Sequence, residues 1–511
     1  MKTKIKALQI GLENWENNLT EEEKEQLEWF FVKANLVNEE EIKEIIDREK
    51  GGTFDVVLCT DQLNNDLLRD LSKVIEAYSL IIDQEFKDDT DSIIIKKKSP
   101  IFMCLEEKKI VLYEIVANFF SGQFGSKFHT NTIVIDENFE GEMKLSGEDY
   151  LQVFGDFSNY SNRPLLTWKH NIAFNQRSKK IWLEFSHDDN VRISMSILMI
   201  QSGTSNILNQ ETYSEEELEK GVVVDYKQGD SYLSISLLVE GKGKLKVGPL
   251  HYRDSRHQYG EFILGGEKIK DHKNQELFYY FHPGDLQPPL NVYFSGYRSA
   301  EGFEGFFMMK QLGAPFLLIA DPRLEGGSFY MGSKELEESL VEIIQEKLQY
   351  LHFSHEQLIL SGLSMGTYGS LYYASQLNPA FVIVGKPLIN VGDIAANERI
   401  IRPGGFATSL DILKSLTGGL SPSNVKKLNQ RFWEAFSRSD FLRTEFIIAY
   451  MKNDDYDSKA YEDLLGYLSQ KKSLLIGKGL PGRHNDNSSG INQWFLKQYQ
   501  RVLKEEFQRR L

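Results

Sequence analysis

Gln357-Leu358-Ile359-Leu360-Ser361-Gly362-Leu363-Ser364-Met365-Gly366-Thr367-Tyr368-Gly369-Ser370-Leu371-Tyr372-Tyr373 is the stretch from which the fold is read. A short apolar run enters Gly-x-Ser-x-Gly, and small and aromatic residues follow at helical spacing. This is the pattern of a nucleophile elbow, in which a strand ends, the chain turns sharply and the serine hydroxyl is exposed at the sheet edge. Bulk at Gly362 or Gly366 would collide with the turn or the packing helix, and Gly369 would let that helix lie close to the sheet. The Met365 N–H, at the helix start, would point at the reacting carbonyl oxygen. The five-residue motif alone arises by chance. The strand before it and the helix after it add weight, and it then requires an acid and a histidine downstream, in that order.

The chain has ten histidines, and only His484 follows Ser364. It lies in Gly479-Leu480-Pro481-Gly482-Arg483-His484, between the last expected strand, Ser473–Ile476, and a closing helix from about Ser489. A general base must reach the elbow from that loop. The acid is expected after the apolar strand Glu445–Met451, where Asp454, Asp455 and Asp457 follow. Position favours Asp454 or Asp455, and Asp454 is taken as the candidate. A second oxyanion donor comes from the loop after the third strand in this fold, which places the N–H of Gly296 or Tyr297, in Ser295-Gly296-Tyr297-Arg298, beside that of Met365. Asp321 and Arg323 leave a neighbouring strand end and read as a structural ion pair. These residues imply acyl transfer through an acyl-serine. Whether water or a sugar hydroxyl receives the acyl group depends on water exclusion and the acceptor site.

The 511 residues exceed one ordinary core, so two to four domains are expected. A net charge of −15 argues against a general nucleic-acid or anionic-membrane binder. Lys96-Lys97-Lys98 reads as a solvated strand end. Two cysteines, Cys59 and Cys104, sit in apolar runs and read as buried reduced thiols, and a count of two excludes a disulfide scaffold or a cysteine zinc site. The basic start, Met1 to Lys6, lacks a signal-peptide core, and no stretch approaches the ~20 apolar residues of a membrane helix. A cytoplasmic protein is expected. No metal ligands and no bound cofactor are read, and the acyl donor stays open.

The fold class expected is α/β, in three segments. Residues 1–140 read as an α/β, Rossmann-like domain. Its strands are placed at Ile5–Ile10, Phe54–Cys59, Ser92–Ile95, Ile110–Tyr113 and Thr132–Ile135. A capping box at Thr20–Glu23 would open a helix carrying Leu27, Phe30, Phe31 and Leu36. Gly11-Leu12-Glu13-Asn14 lacks a dinucleotide fingerprint, so this part reads as structural or partner-binding. In residues 141–262 the period becomes two: Val191, Ile193, Met195 and Ile197; Leu233, Ile235 and Leu237; Leu245 and Val247. That alternation reads as an antiparallel β-sandwich. Trp168, Trp182, Tyr226, Tyr252 and Tyr259 are candidates to stack on sugar, with core packing the commoner fate of each. Residues 263–511 suit an α/β-hydrolase domain, with strands at Leu290–Phe294, Pro315–Ala320 and Phe381–Gly385 around the elbow strand.

With these segments in view, the chain resembles the second accessory secretory protein family of the Gram-positive accessory Sec system, over its full length. The resemblance is carried by Leu360-Ser361-Gly362-Leu363-Ser364-Met365-Gly366-Thr367-Tyr368-Gly369, Phe294-Ser295-Gly296-Tyr297-Arg298, Ala320-Asp321-Pro322-Arg323 and the loop carrying His484. It implies a cytoplasmic protein, peripheral at the membrane translocon. The implied partners are two other accessory secretory proteins, the dedicated export ATPase and glycosylated serine-rich repeat adhesins. It also implies O-acetylation of N-acetylglucosamine on those adhesins. The family's catalytic serine falls on Ser364, its histidine on His484 and its acid on Asp454. That acid is a glutamate in at least some members, and the shorter reach of aspartate keeps Asp455 and Asp457 in play. Two other readings stand beside this one: a hydrolase fold kept as an inactive scaffold or chaperone of the export complex, and a free-standing carbohydrate esterase.

Overall fold

The computed structural model describes residues 4–34, 53–61, 74–85, 93–227 and 229–510. The chain divides into two compact units. The first comprises Met1–Gln123, Asp254–Glu267 and His282–Leu286, and the second Phe124–Arg253, Lys268–Phe281 and Gln287–Leu511.

Among the described residues, the first unit holds a five-stranded parallel sheet. Its order is Leu27–Lys33, Ile5–Gly11, Val56–Cys59, Leu80–Asp83, Ile101–Met103. In sequence order this is 2-1-3-4-5, the flavodoxin-like doubly wound arrangement rather than the Rossmann 3-2-1-4-5-6. The capping box at Thr20 is present, with Glu23 N–H on Thr20 Oγ1 and Thr20 N–H on Glu23 Oε2. The helix it opens is only Glu21–Gln26. Leu27, Phe30 and Phe31, expected on that helix, lie in the strand Leu27–Lys33, because Leu-Glu-Trp-Phe-Phe-Val is rich in the aromatic and β-branched residues that suit a pleated surface. Leu36 lies outside the described residues, as does Ser92. Two expected strands are helices: Ile93–Lys98 covers the described part of Ser92–Ile95, and Lys108–Asn118 covers Ile110–Tyr113. In the second, Val111, Leu112 and Ile115 recur at helical spacing and are buried, a pattern that the short apolar run concealed. Cys59 is buried and Cys104 partly so, both as free thiols, and burial pushes the Cys59 thiol up to about 12.

The second unit contains two sheets. The β-rich one has eleven strands. Ile133–Ile135, placed with the first segment by sequence, pairs here with Leu166–Trp168. One strand, Ser231–Asp254, is 24 residues long and organises the rest. Its first half pairs antiparallel with Val191–Gln201, and its second half with Tyr150–Asp156 and Gly125–Phe128. The strand changes partners at Gly241 and Gly243, both at positive φ, and a Cβ on Gly241 would lie 1.9 Å from the Asn190 carbonyl oxygen. The alternating residues read from the sequence, Val191 to Ile197, Leu233 to Leu237 and Leu245 with Val247, all fall in one buried cluster. Trp168 and Trp182 are buried, so neither offers a face to sugar; Tyr226 and Tyr252 pack against the same cluster and Tyr259 against the core of the first unit.

A buried charge network lies under this sheet. Arg253 donates to Glu276 and Glu301, and His251 bridges Glu301 and Glu184. Burial alone would raise the Glu276 carboxyl, but the Arg253 and Lys268 charges outweigh it and hold the group down at about 2. The stabilisation linked to that lowered value is present above the ordinary 4.5 and is lost as pH falls toward about 2. Glu276→Gln leaves Arg253 under-compensated and is expected to cost about 3–5 kcal/mol. Denaturant midpoints of both proteins, followed from neutral pH into acid, check this: the difference between them shrinks as pH falls. A difference that does not change with pH refutes the assignment.

The other sheet has eight strands: β1 Gly266–Lys270, β2 Glu276–His282, β3 Leu290–Phe294, β4 Phe316–Ala320, β5 Leu358–Leu363, β6 Phe381–Gly385, β7 Glu445–Met451 and β8 Leu474–Leu480. Their spatial order is β1-β2-β4-β3-β5-β6-β7-β8, and β4 through β8 pair parallel. Strands β3 to β6 are buried at every residue but Leu363, at the end of β5, as continuous apolar runs in a covered parallel sheet should be. This is the strand order of an α/β-hydrolase sheet. Ligands of such sheets bind beyond the carboxyl ends of the strands. Among the described residues, no helix is long and apolar enough to cross a membrane.

Candidate active site

The elbow forms where β5 meets the helix Met365–Tyr372. Ser364 takes φ 53° and ψ −121°, a conformation that a non-glycine residue adopts only when its surroundings impose it. Those surroundings are visible. Ser364 N–H donates to the Gly385 carbonyl at the end of β6, and Thr367 Oγ1 donates to the Ser364 carbonyl. A Cβ on Gly362 would lie 2.4 Å from the Gly366 carbonyl oxygen, and one on Gly366 would lie 2.1 Å from that of Phe294. The turn therefore closes only with glycine at both places.

The loop after β8 brings His484 to the serine. Ser364 Oγ and His484 Nε2 are 2.8 Å apart, and His484 Nδ1 lies 2.7 Å from Asp454 Oδ2. His484 is 2% exposed and Asp454 9%, so the pair is shielded from water while the serine is partly open. With the proton on Nδ1 directed at the carboxylate, Nε2 is left to accept from the serine hydroxyl.

The three aspartates have separate tasks. Asp454 Oδ1 accepts the N–H groups of Tyr456 and Asp457, which fixes the carboxylate while Oδ2 holds the imidazole. Asp455 accepts the His484 backbone N–H at 3.0 Å and pairs with Arg402 at 2.7 Å. Burial works against its charge, yet those partners hold its carboxyl below the usual range. Asp457 turns away to the N–H groups of Ile389 and Asn390 and to the Asn390 side chain, and burial pushes its carboxyl up.

The oxyanion side departs from expectation at one residue. Gly296 N–H, expected to face the substrate oxygen, donates to Glu304 Oε2 at 2.6 Å and is committed to that carboxylate. Met365 is the first residue of its helix, so its N–H has no acceptor one turn back. Tyr297 remains as the loop candidate. Its ring covers Gly326 and its hydroxyl donates to Glu325. Asp321 and Arg323 form the structural pair read from the sequence. Arg323 makes two bonds to the Asp321 carboxylate, which also accepts the N–H groups of Ser328 and Tyr330 and so shapes the loop after β4.

Sequence reasoning missed the covering of the imidazole. The Tyr456 ring lies 4.7 Å from that of His484, and the Arg402 guanidinium lies 3.5 Å over Tyr456. Tyr456 stands between two candidate aspartates, and that position was its only signal. Arg402 is 82 residues before His484 and carried none. A serine hydroxyl, a buried imidazole and a carboxylate in one hydrogen-bonded line can generate an alkoxide-like nucleophile and return its proton to a leaving group.

A sequence model of the family described as Accessory Sec system GspB-transporter matches residues 5–509. An accessory Sec system protein of Streptococcus gordonii is 40% identical over 518 residues, which cover 100% of both chains. One from Staphylococcus aureus is 38% identical over 521 residues, covering 100% of this chain and 98% of the relative. Among solved structures, the Glycosylation Associate Protein complex from Streptococcus agalactiae contains a chain that is 39% identical, covers 100% of both chains and superposes with a TM-score of 0.89.

Proposed function

The chain belongs to the Accessory Sec system GspB-transporter family, and from that premise we propose that it is a serine O-acetyltransferase that modifies N-acetylglucosamine on the serine-rich repeat adhesins its export system carries. One observation carries the enzymatic part: the line from Ser364 Oγ through His484 to Asp454, at 2.8 and 2.7 Å. Ser364 Oγ attacks the acetyl carbonyl of the donor, and its proton passes to His484 Nε2. The N–H groups of Met365 and Tyr297 hold the tetrahedral oxyanion, and each such donor is worth about 3 kcal/mol. Collapse breaks the bond to the donor's leaving group, which takes the proton from His484, and an acetyl-serine remains. A sugar hydroxyl then gives its proton to His484 and attacks the same carbonyl. The serine–acetyl bond breaks, the ester forms on the sugar, and Ser364 recovers its proton. Asp454 keeps the imidazole oriented and stabilises its charged form throughout.

The full-length relative within an assembled complex supports a second role, assembly with other accessory proteins of the export system. The two roles are compatible, because a partner surface does not use the serine. Mass spectrometry of adhesin glycans from cells carrying Ser364→Ala separates them. We expect acetylated N-acetylglucosamine to disappear while adhesin export continues. Full acetylation in those cells refutes the transferase. Loss of export together with acetylation, from a folded and abundant variant, ties the two roles to one site.

A further inference from the structure

We propose that His129, Glu148 and Glu325 form a binding site for a divalent transition-metal cation, independent of the acyl-transfer reading. One ligand atom from each lies within 4.8 Å of the other two. His129 Nδ1 is 3.3 Å from Glu148 Oε2, close enough for an ion pair but misaligned for a hydrogen bond, and both atoms are buried without a hydrogen-bond partner. Buried polar atoms are nearly always satisfied, so two of them facing one space call for something between them. Two ligands held about 2.1 Å from a tetrahedral cation lie about 3.4 Å apart, close to the separation seen here. One imidazole nitrogen and two carboxylate oxygens suit zinc or manganese better than an all-oxygen cation such as calcium.

The three ligands come from distant parts of the chain and are each held from behind. His129 follows the strand Gly125–Phe128, and its carbonyl accepts from the N–H and hydroxyl of Thr132. Thr130 Oγ1 donates to the Gly147 carbonyl and so ties that segment to the turn carrying Glu148. The Glu148 N–H is held by Asp411. The Glu325 carbonyl accepts from Thr408, and Glu325 Oε1 accepts from the Tyr297 hydroxyl. An outer donor of that kind orients a metal-ligating carboxylate. The His129 and Glu148 side chains retain 28% and 27% of their exposure, which gives an ion a way in. A cation here would staple the turn at Glu148 to the loop after β4 and fix the Tyr297 ring over Gly326.

The test uses the full-length chain, stripped with a chelator, incubated with zinc or manganese chloride and desalted before metal analysis. We expect about one equivalent of one of these ions per chain, a rise in unfolding temperature on binding, and loss of both effects in His129→Ala/Glu325→Gln. Ser364→Ala should keep the full equivalent. Failure of the wild-type chain to hold either ion, or an undiminished equivalent in the double variant, overturns the proposal. Should the double variant not fold, acylation of His129 by diethyl pyrocarbonate, followed by peptide mass spectrometry, decides on the wild-type chain. Bound metal should slow that modification about tenfold or more, and an unchanged rate overturns the site.

Discussion

A fluorophosphonate probe will label the folded chain at Ser364 and will not label Ser364→Ala. Acetyl transfer to a sugar acceptor will fall in that variant by about 10⁵–10⁶-fold, the scale seen when a nucleophile is removed from a serine–histidine–acid unit. The physical basis is local. Ser364 is held at φ 53° by the Gly385 carbonyl and by the close approach of Gly362 and Gly366, so its hydroxyl points at the imidazole rather than into the core. Alanine tolerates the same backbone with no new contact, and the variant should keep the wild-type unfolding temperature. His484→Ala should be nearly as inactive, because the serine then has no base. Labelling of Ser364→Ala at another residue, with transfer retained, removes the elbow from the mechanism.

Asp454→Asn should lower transfer about 10³–10⁴-fold with little change in acceptor affinity. At 1.36 kcal/mol per decade this is about 4–5.5 kcal/mol of transition-state stabilisation. An amide at this position donates where the carboxylate accepted, so it favours the wrong imidazole tautomer and cannot stabilise the imidazolium. The neighbouring aspartates make the comparison specific. Asp455→Asn can keep the acceptor for the His484 N–H and weakens only a partly exposed pair with Arg402, so its effect should stay within about tenfold. Asp457→Asn disturbs the hydrogen bonds to Ile389 and Asn390 and should lower stability by about 1–3 kcal/mol rather than block the chemistry. Equal losses in Asp454→Asn and Asp455→Asn would mean that the carboxylate on His484 Nδ1 does not have the assigned role.

The parts of the fold that were legible in the chain were those with a local cause. The elbow follows from three glycines and a serine in eight residues, and its meaning was tested by a histidine that had to lie beyond it. The period-two runs at Val191, Leu233 and Leu245 identified buried strand faces because alternation is a property of the strand itself. Where the local signal was short it misled. Ile110–Tyr113 is apolar enough for a strand, yet it lies in an eleven-residue helix that buries only Val111 and Leu112 of the four. Leu27 to Phe31 followed a correct capping box and still became a strand, because the capping box fixes where a helix starts and not how far it runs.

By itself the sequence determined that Ser364 sits on a strand-to-helix turn, and which histidine could serve it. Steric demands on neighbouring residues encode the turn, and chain order leaves one histidine. Only the tertiary structure decided among Asp454, Asp455 and Asp457, committed Gly296 to Glu304, laid Tyr456 and Arg402 over the imidazole, and gathered His129, Glu148 and Glu325. Those outcomes depend on side-chain direction to within an ångström. Segments far apart in the chain supply that direction through backbone hydrogen bonds, and no spacing along the sequence records it.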